Sequence, residues 1–395
     1  MKVLIAGMDG YLGWPLAQWL AARGHEVAGA DLMLRRQWVE EMGSQSAIPI
    51  ADMPDRLDAF AAKWGHRPLY RHGDLRDYPF VEQLLRDVRP DAIVHLAECP
   101  SAPYSQMDVQ HATFVQTNAI VTTMNLLFAM HEICPDAHLV KLGTMGEYGT
   151  PAIDIPEGFF EIEFRGRKDR LPFPRQAGSW YHWSKVHDSN NVMFACRLWG
   201  LRSTDIMQGV VYGTRIPEMA GDPRLTTRMD IDQCFGTAIN RFCSQAVIGH
   251  PLTVYGAGRQ RRGFLPLADS MQCLTLVIEQ PPARGEYRVV NQFEDVHGIE
   301  ELALAVQRVG GTMGMDVELQ HFENPRSIEA PEHYYNPDRE KLIALGYTPA
   351  HDLDGQIREM LEDLRPHRER IEVKRDILVP DIRWDGSRHR SAETR

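Results

Sequence analysis

What most constrains this chain is a recurring alternation of short, uninterrupted aliphatic runs with longer runs of helical spacing. KVLIAG (2–7) is followed by WPLAQWLAARG (14–24), and EVAGAD (26–31) by a helical region to about 65. PLYRHGDLRD (68–77) and AIVHLAE (92–98) flank the helical FVEQLLRDVRP (80–90), and a long helix over 109–132 leads to HLVKLGT (138–144). Strands that are apolar on both faces and joined by helices belong to a parallel sheet covered on both sides. The pattern predicts a doubly wound α/β fold, a Rossmann sheet, with a smaller mixed α/β lobe towards the C-terminus.

The periodicity loosens at 151–178, a charged, Pro- and Gly-rich stretch that reads as a hairpin or excursion. Regular elements then resume: a helix over 180–199, a strand over 202–209, a helix over 231–247 and strands near 251–258 and 286–293. Further on come a helix near 298–309, a strand near 315–322 and a helical region over 337–364. The division expected is a dinucleotide-binding domain over 1–212, an interleaved second lobe over 213–383 and a polar, flexible tail over 384–395.

The second glycine-rich signal narrows the chemistry. Gly7, Gly10 and Gly13 lie between the first strand and the first helix, where glycines let the backbone approach a pyrophosphate held at a helix N-terminus. Asp31 ends the second strand, placed for a carboxylate to bind the adenosine ribose hydroxyls and repel a 2′-phosphate. NAD is therefore expected over NADP. Arg35 and Arg36 run against this: they suit a 2′-phosphate, the diphosphate or solvent alike. Asp74 either meets the adenine amino group or caps a helix. A net charge of −11 argues against a dedicated nucleic-acid binder. The six scattered cysteines suggest buried thiols and a reducing compartment, with no metal site. No apolar run is long enough to span a bilayer, so a cytoplasmic protein is expected.

In GSWYHWSKVHD (178–188), Tyr181 and Lys185 are four apart and share a helix face. An ammonium and a nicotinamide cation both favour a phenolate, which can take a proton from an alcohol as hydride leaves the same carbon. The competing reading is an ordinary amphipathic helix with an exposed lysine. With the glycine turn, Asp31 and a strand-terminal Thr144 in the same chain, the catalytic reading is preferred.

These residues resemble those of the extended short-chain dehydrogenases/reductases. SAPYS (101–105), HLVKLGTMGEYGTP (138–151), YHWSKVHDS (181–189), QGVVYG (208–213), GHPLTVYG (249–256), NPR (324–326) and EHYYN (332–336) further resemble the UDP-sulfoquinovose synthases, from residue 2 to about 385. The resemblance implies UDP-glucose bound beside a tightly held, recycled NAD. C4 is oxidised, which acidifies the C5 proton; loss of that proton and the C6 hydroxyl gives a 5,6-ene, sulfite adds at C6, and hydride returns to C4. It also implies a homodimer and a sulfite donor, as free sulfite or a delivering protein.

Residue by residue, the resemblance supports Tyr181 as base, Lys185 as its electrostatic partner and Thr144 for positioning; with no acid at 145 or 146, His182 beside Tyr181 is the candidate for the later acid/base, since an imidazole titrates near neutrality, unless it merely packs or caps. Along the cofactor it places Asp9, Tyr11, Leu12, Leu75, Leu96, Asn118, Leu142 and Val211 beside the residues already named, and Gln208 at the sugar or nicotinamide edge. For the sugar nucleotide it implies Ser101, Met145, Gly146, Thr253, Gln260, Arg262 and Arg326, with Arg241 on a helix face as a further candidate. Related 4,6-dehydratases carry an Asp-Glu pair where this chain has Met145 and Gly146. Glu147 is displaced along the turn, to orient a neighbour or the sugar or to serve structure alone. Pro100 stands where the resembling proteins carry Arg, and Leu32 where they carry Asn. A UDP-sugar 4-epimerase or 5,6-dehydratase without sulfite use is the alternative enzyme, and a non-catalytic dinucleotide-binding protein the alternative from another class.

Overall fold

The structure is a computed structural model describing residues 1–385 except 327–329 and 331. The aliphatic runs become β1 (Lys2–Ala6), β2 (Glu26–Asp31), β3 (Leu69–His72), β4 (Ala92–His95) and β5 (His138–Thr144). Between them lie α1 (Gly13–Ala22), α2 (Leu34–Glu41), α3 (Met53–Trp64), α4 (Tyr78–Val88) and α5 (Val109–Ile133). The excursion is an antiparallel hairpin, β6 (Phe159–Phe164) with β7 (Arg167–Pro172). After α6 (Trp180–Trp199) come β8 (Arg202–Gln208), β9 (Val210–Tyr212), α7 (Ala238–Ile248), β10 (Leu252–Tyr255), β11 (Arg261–Pro266) and α8 (Leu267–Glu279). The described chain closes with β12 (Tyr287–Gln292), β13 (Asp295–Gly298), α9 (Ile299–Thr312), β14 (Leu319–Phe322), α10 (Glu340–Ala344) and α11 (Leu353–Leu364), followed by short helical turns.

Seven strands form one parallel sheet in the order β12-β8-β5-β4-β1-β2-β3. The order reverses between β1 and β4, and ligands of open α/β sheets bind at the carboxyl ends of the strands there. The glycines at that point are required by contact: a Cβ on Gly13 would lie 2.1 Å from the Gly7 carbonyl oxygen, and Gly7 has φ +94°. Helix α1 can therefore start directly against β1. Its Trp14 is buried, and its indole N–H donates to the Leu225 carbonyl.

A small sheet of β13, β11 and β9, together with α7, α9 and α11, forms a second core around Phe242, Phe264, Leu302 and Met360. Two expected helices differ. The helix expected over 231–247 begins only at Ala238, because Asp232 accepts the N–H groups of Cys234 and Phe235 in a turn that precedes it. The region 337–364 is two helices, broken where Gly346 adopts φ +100° ahead of Pro349. Trp384, expected to begin a flexible tail, is anchored: its N–H donates to Pro325 O and its ring lies under Arg326, 4.9 Å from the guanidinium. The rest of that expected tail, 386–395, lies outside the described residues.

Candidate active site

Two cavities meet above the carboxyl ends of the central strands. The first, of about 330 Å³, is lined by the three glycines, Tyr11, Leu12, Asp31, Arg35, Asp74, Leu75, Leu96, Asn118, Leu142, Tyr181, Lys185 and Val211. The second, of about 500 Å³, is lined by Met145, Gly146, His182, Arg241, Gln260, Arg262 and Arg326. Thr144, Gln208 and Thr237 border both, so a ligand in one cavity would touch a ligand in the other there.

The first cavity fits a dinucleotide with an unmodified ribose. A bare backbone at Gly7 and Gly13 makes the cradle, since a Cβ at either would strike backbone atoms. Asp31 accepts the N–H groups of Asp9 and Met33, and burial, together with the Asp9 charge, pushes its carboxyl up to about 6. Asp9 and Arg36 do not line this cavity. Arg36 pairs with the buried Asp9 carboxylate, which also holds the fully buried Arg56. Breaking a buried pair costs about 3–5 kcal/mol, so Arg36 is not available to a 2′-phosphate. Arg35 is held by Asp230, 2.7 Å from its Nε, and lies over Phe235. Asp74 serves the turn before α4, accepting the Arg76 N–H and pairing with its guanidinium, while it also borders the cavity.

Tyr181 and Lys185 reach the site because Ser179 caps α6, its hydroxyl accepting the His182 N–H. Lys185 Nζ donates to Leu142 O at 2.7 Å and lies 2.8 Å from Glu98 Oε2. Burial alone would discharge this lysine, but the Glu98 carboxylate outweighs it and holds the ammonium above its ordinary range. The Tyr181 phenol is pushed up, first by burial and then by Glu98. In the unliganded pocket it is thus a neutral phenol, and the positive charge of a bound nicotinamide is what would favour its ionisation. The Thr144 hydroxyl accepts the Gly146 N–H, which leaves its own proton to donate.

His182 settles why the turn after β5 carries no acid at Gly146. A Cβ there would lie 2.4 Å from both Cδ2 and Nε2 of the imidazole, so the ring occupies the space that a side chain at 146 would need. The Ser179 hydroxyl lies 2.9 Å from His182 Nδ1 and holds the ring; with the proton on Nδ1 donated to that hydroxyl, Nε2 is the nitrogen left to take one up.

Glu147 lines neither cavity and is fully buried. It receives Arg175, the Ser189 hydroxyl and the Thr144 N–H, and lies 3.5 Å from Lys141, so it braces the turn that presents Thr144. Ser101 and Thr253 likewise stay off the cavity walls. The Ser101 hydroxyl donates to Cys234 O, and Thr253 bonds Gln245. In the second cavity Arg241 is buried and its Nε has no hydrogen-bond partner among the described residues; the same holds for Gln260 Oε1 and, at the junction, Gln208 Nε2. Such groups are costly to bury unless a ligand satisfies them, and a nucleoside diphosphate sugar offers the acceptors and donors required.

Sequence reasoning missed Glu98, although a carboxylate just past the β4 strand end was a readable signal. It also missed Pro380, Ile382 and Trp384, which line the second cavity from a segment with no local motif. Pro100 lines the dinucleotide cavity, as does Leu32.

Over residues 3–291 the chain matches the NAD dependent epimerase/dehydratase family, and it belongs to that family. It is an NAD-dependent enzyme of the extended short-chain dehydrogenase/reductase kind. It is 46% identical over 385 residues to a UDP-sulfoquinovose synthase from Sulfolobus acidocaldarius, covering 97% of this chain and 98% of that one. It is 43% identical to the chloroplastic UDP-sulfoquinovose synthase of Spinacia oleracea, covering 97% of this chain and 79% of that one. Among solved structures, a UDP-glucuronic acid 4-epimerase from Bacillus cereus, in complex with NAD and a UDP sugar, shares the fold. Its TM-score is 0.70 at 19% identity, covering 93% of this chain and 99% of that one.

Proposed function

We propose that this enzyme makes UDP-sulfoquinovose from UDP-glucose and sulfite. The observation that carries the reading is the pairing of an intact Thr144, Tyr181 and Lys185 set with a turn whose dehydratase acid position is a glycine filled by His182. The 46% and 43% identity to UDP-sulfoquinovose synthases over almost the whole chain supports the same substrate.

NAD, when bound, supplies an acceptor for the C4 hydrogen and gives it back at the end of the cycle. The chain's own residues handle protons and positions. Tyr181 takes the C4 hydroxyl proton, with Lys185 stabilising the phenolate and Thr144 donating to the C4 oxygen. With C4 at the ketone level, the C5 proton is acidic, and His182 removes it and protonates the departing C6 hydroxyl as water. Sulfite adds at C6 of the resulting ene, C5 takes up a proton that enters from solvent or with hydrogensulfite, and Tyr181 returns its proton to the C4 oxygen. Arg241, Arg262, Arg326 and Gln260 hold the uridine diphosphate, whose phosphates suit the planar guanidinium fork. Replacing Tyr181 by Phe removes the base but leaves the ring. Bound nicotinamide should then be reduced by UDP-glucose at least about a hundredfold more slowly, read as its absorbance in a single turnover. Undiminished reduction would overturn the assignment.

A further inference from the structure

This proposal rests on the reading of Tyr181 and Lys185 just given, and concerns a buried acid that the reading leaves without a role. Glu98 follows β4, is 6% exposed and lines the dinucleotide cavity. Its Oε2 lies 2.8 Å from Lys185 Nζ, and its Oε1 lies 3.2 Å from His95 Nε2.

The neighbours show which charge Glu98 answers. His95 is wholly buried, also faces the Thr123 hydroxyl, and is pushed down by burial to about 4; it is a neutral ring at neutral pH. Asp188, one turn beyond Lys185 on α6, is pushed well above its ordinary range by burial and by the Glu98 charge, which favours its neutral form. Lys141, on β5, spends its charge on Asp205 and Glu147, and Glu147 also holds Arg175. The remaining contact of Lys185 Nζ is a carbonyl, Leu142 O. Cys99, beside Glu98, is buried and pushed up to about 12, so it stays a neutral thiol. Glu98 is thus the ionised group that faces the Lys185 ammonium directly.

We infer that Glu98 is a positioning residue, whose carboxylate keeps the buried Lys185 ammonium charged and seated against Leu142 O so that it can act on Tyr181. The need is physical. An ammonium taken out of water discharges unless an anion compensates it, and a nicotinamide cation in the same cavity adds a second reason for it to lose its proton. A neutral Lys185 would leave the Tyr181 phenolate without its partner.

The test is a titration of the NAD-loaded protein without sugar, followed by 13Cε-lysine NMR with the Lys185 signal assigned through Lys185→Arg. In the unsubstituted protein Lys185 should keep its proton past the ordinary lysine range. In Glu98→Gln it should titrate at least about one pH unit lower, and the alkaline limb of single-turnover cofactor reduction by UDP-glucose should fall with it. Glu98→Asp, which keeps the charge, should restore both. An unmoved Lys185 signal in a folded Glu98→Gln protein would overturn the inference while leaving the Tyr181 assignment standing. A signal that moves without the kinetic limb would overturn the proposed link to Tyr181. A merely structural glutamate would lower the rate and move neither.

Discussion

Gly146 is the most exacting single position in the site. The space a methyl group would need there is taken by the His182 ring, 2.4 Å away, and that ring must move if anything larger than hydrogen is introduced. Gly146→Ala should therefore spare C4 oxidation, which depends on Tyr181, while cutting formation of sulfonated product by about a hundredfold, the scale of an ångström-level misplacement. Comparing single-turnover cofactor reduction with product yield in the variant checks this, and equal losses in both would contradict it. The exchange of an acid at 146 for an imidazole at 182 was half legible in the sequence. The missing acid could be read from the turn, and His182 beside Tyr181 could be named as the replacement acid/base; that its ring packs into the space over Gly146 could not, because the contact joins two segments 36 residues apart. Glu98 could be read as a carboxylate past the β4 strand end, but its role could not, because its partner, Lys185, lies on another element.

Among the elements, the strands of the large sheet were the most readable, since continuous aliphatic runs leave a parallel, doubly covered strand as the economical solution. Helix limits were less so. Apolar spacing persists on both sides of Gly346, but residues 345–352, with the positive φ of Gly346 and with Pro349, separate α10 from α11. Helices α5 and α6 pack side by side and leave Val121, Phe128, Trp183, Phe194 and Leu198 exposed. Apolar side chains along a helix pair are what an isologous dimer would cover. We expect a homodimer through this face. Phe128→Glu with Phe194→Glu should shift the sedimentation coefficient to that of a monomer, whereas an unchanged dimer would place the interface elsewhere.

At the scale of the whole molecule, function depends on segments far apart in sequence closing over one junction. The glycine turn, Asp31 and the Tyr181 helix could be placed from local patterns. The roof of the second cavity could not, because Pro380, Ile382 and Trp384 arrive from the end of the described chain and are fixed by Gln233 and Pro325, not by a motif of their own. No described helix is long and apolar enough to cross a membrane. The most direct measurement is the mass of the product after the NAD-loaded protein is incubated with UDP-glucose, with and without sulfite. A nucleotide sugar heavier than UDP-glucose by one SO2, formed only when sulfite is present, is the result predicted. A product of unchanged mass, or one lighter by water, formed regardless of sulfite, would contradict it.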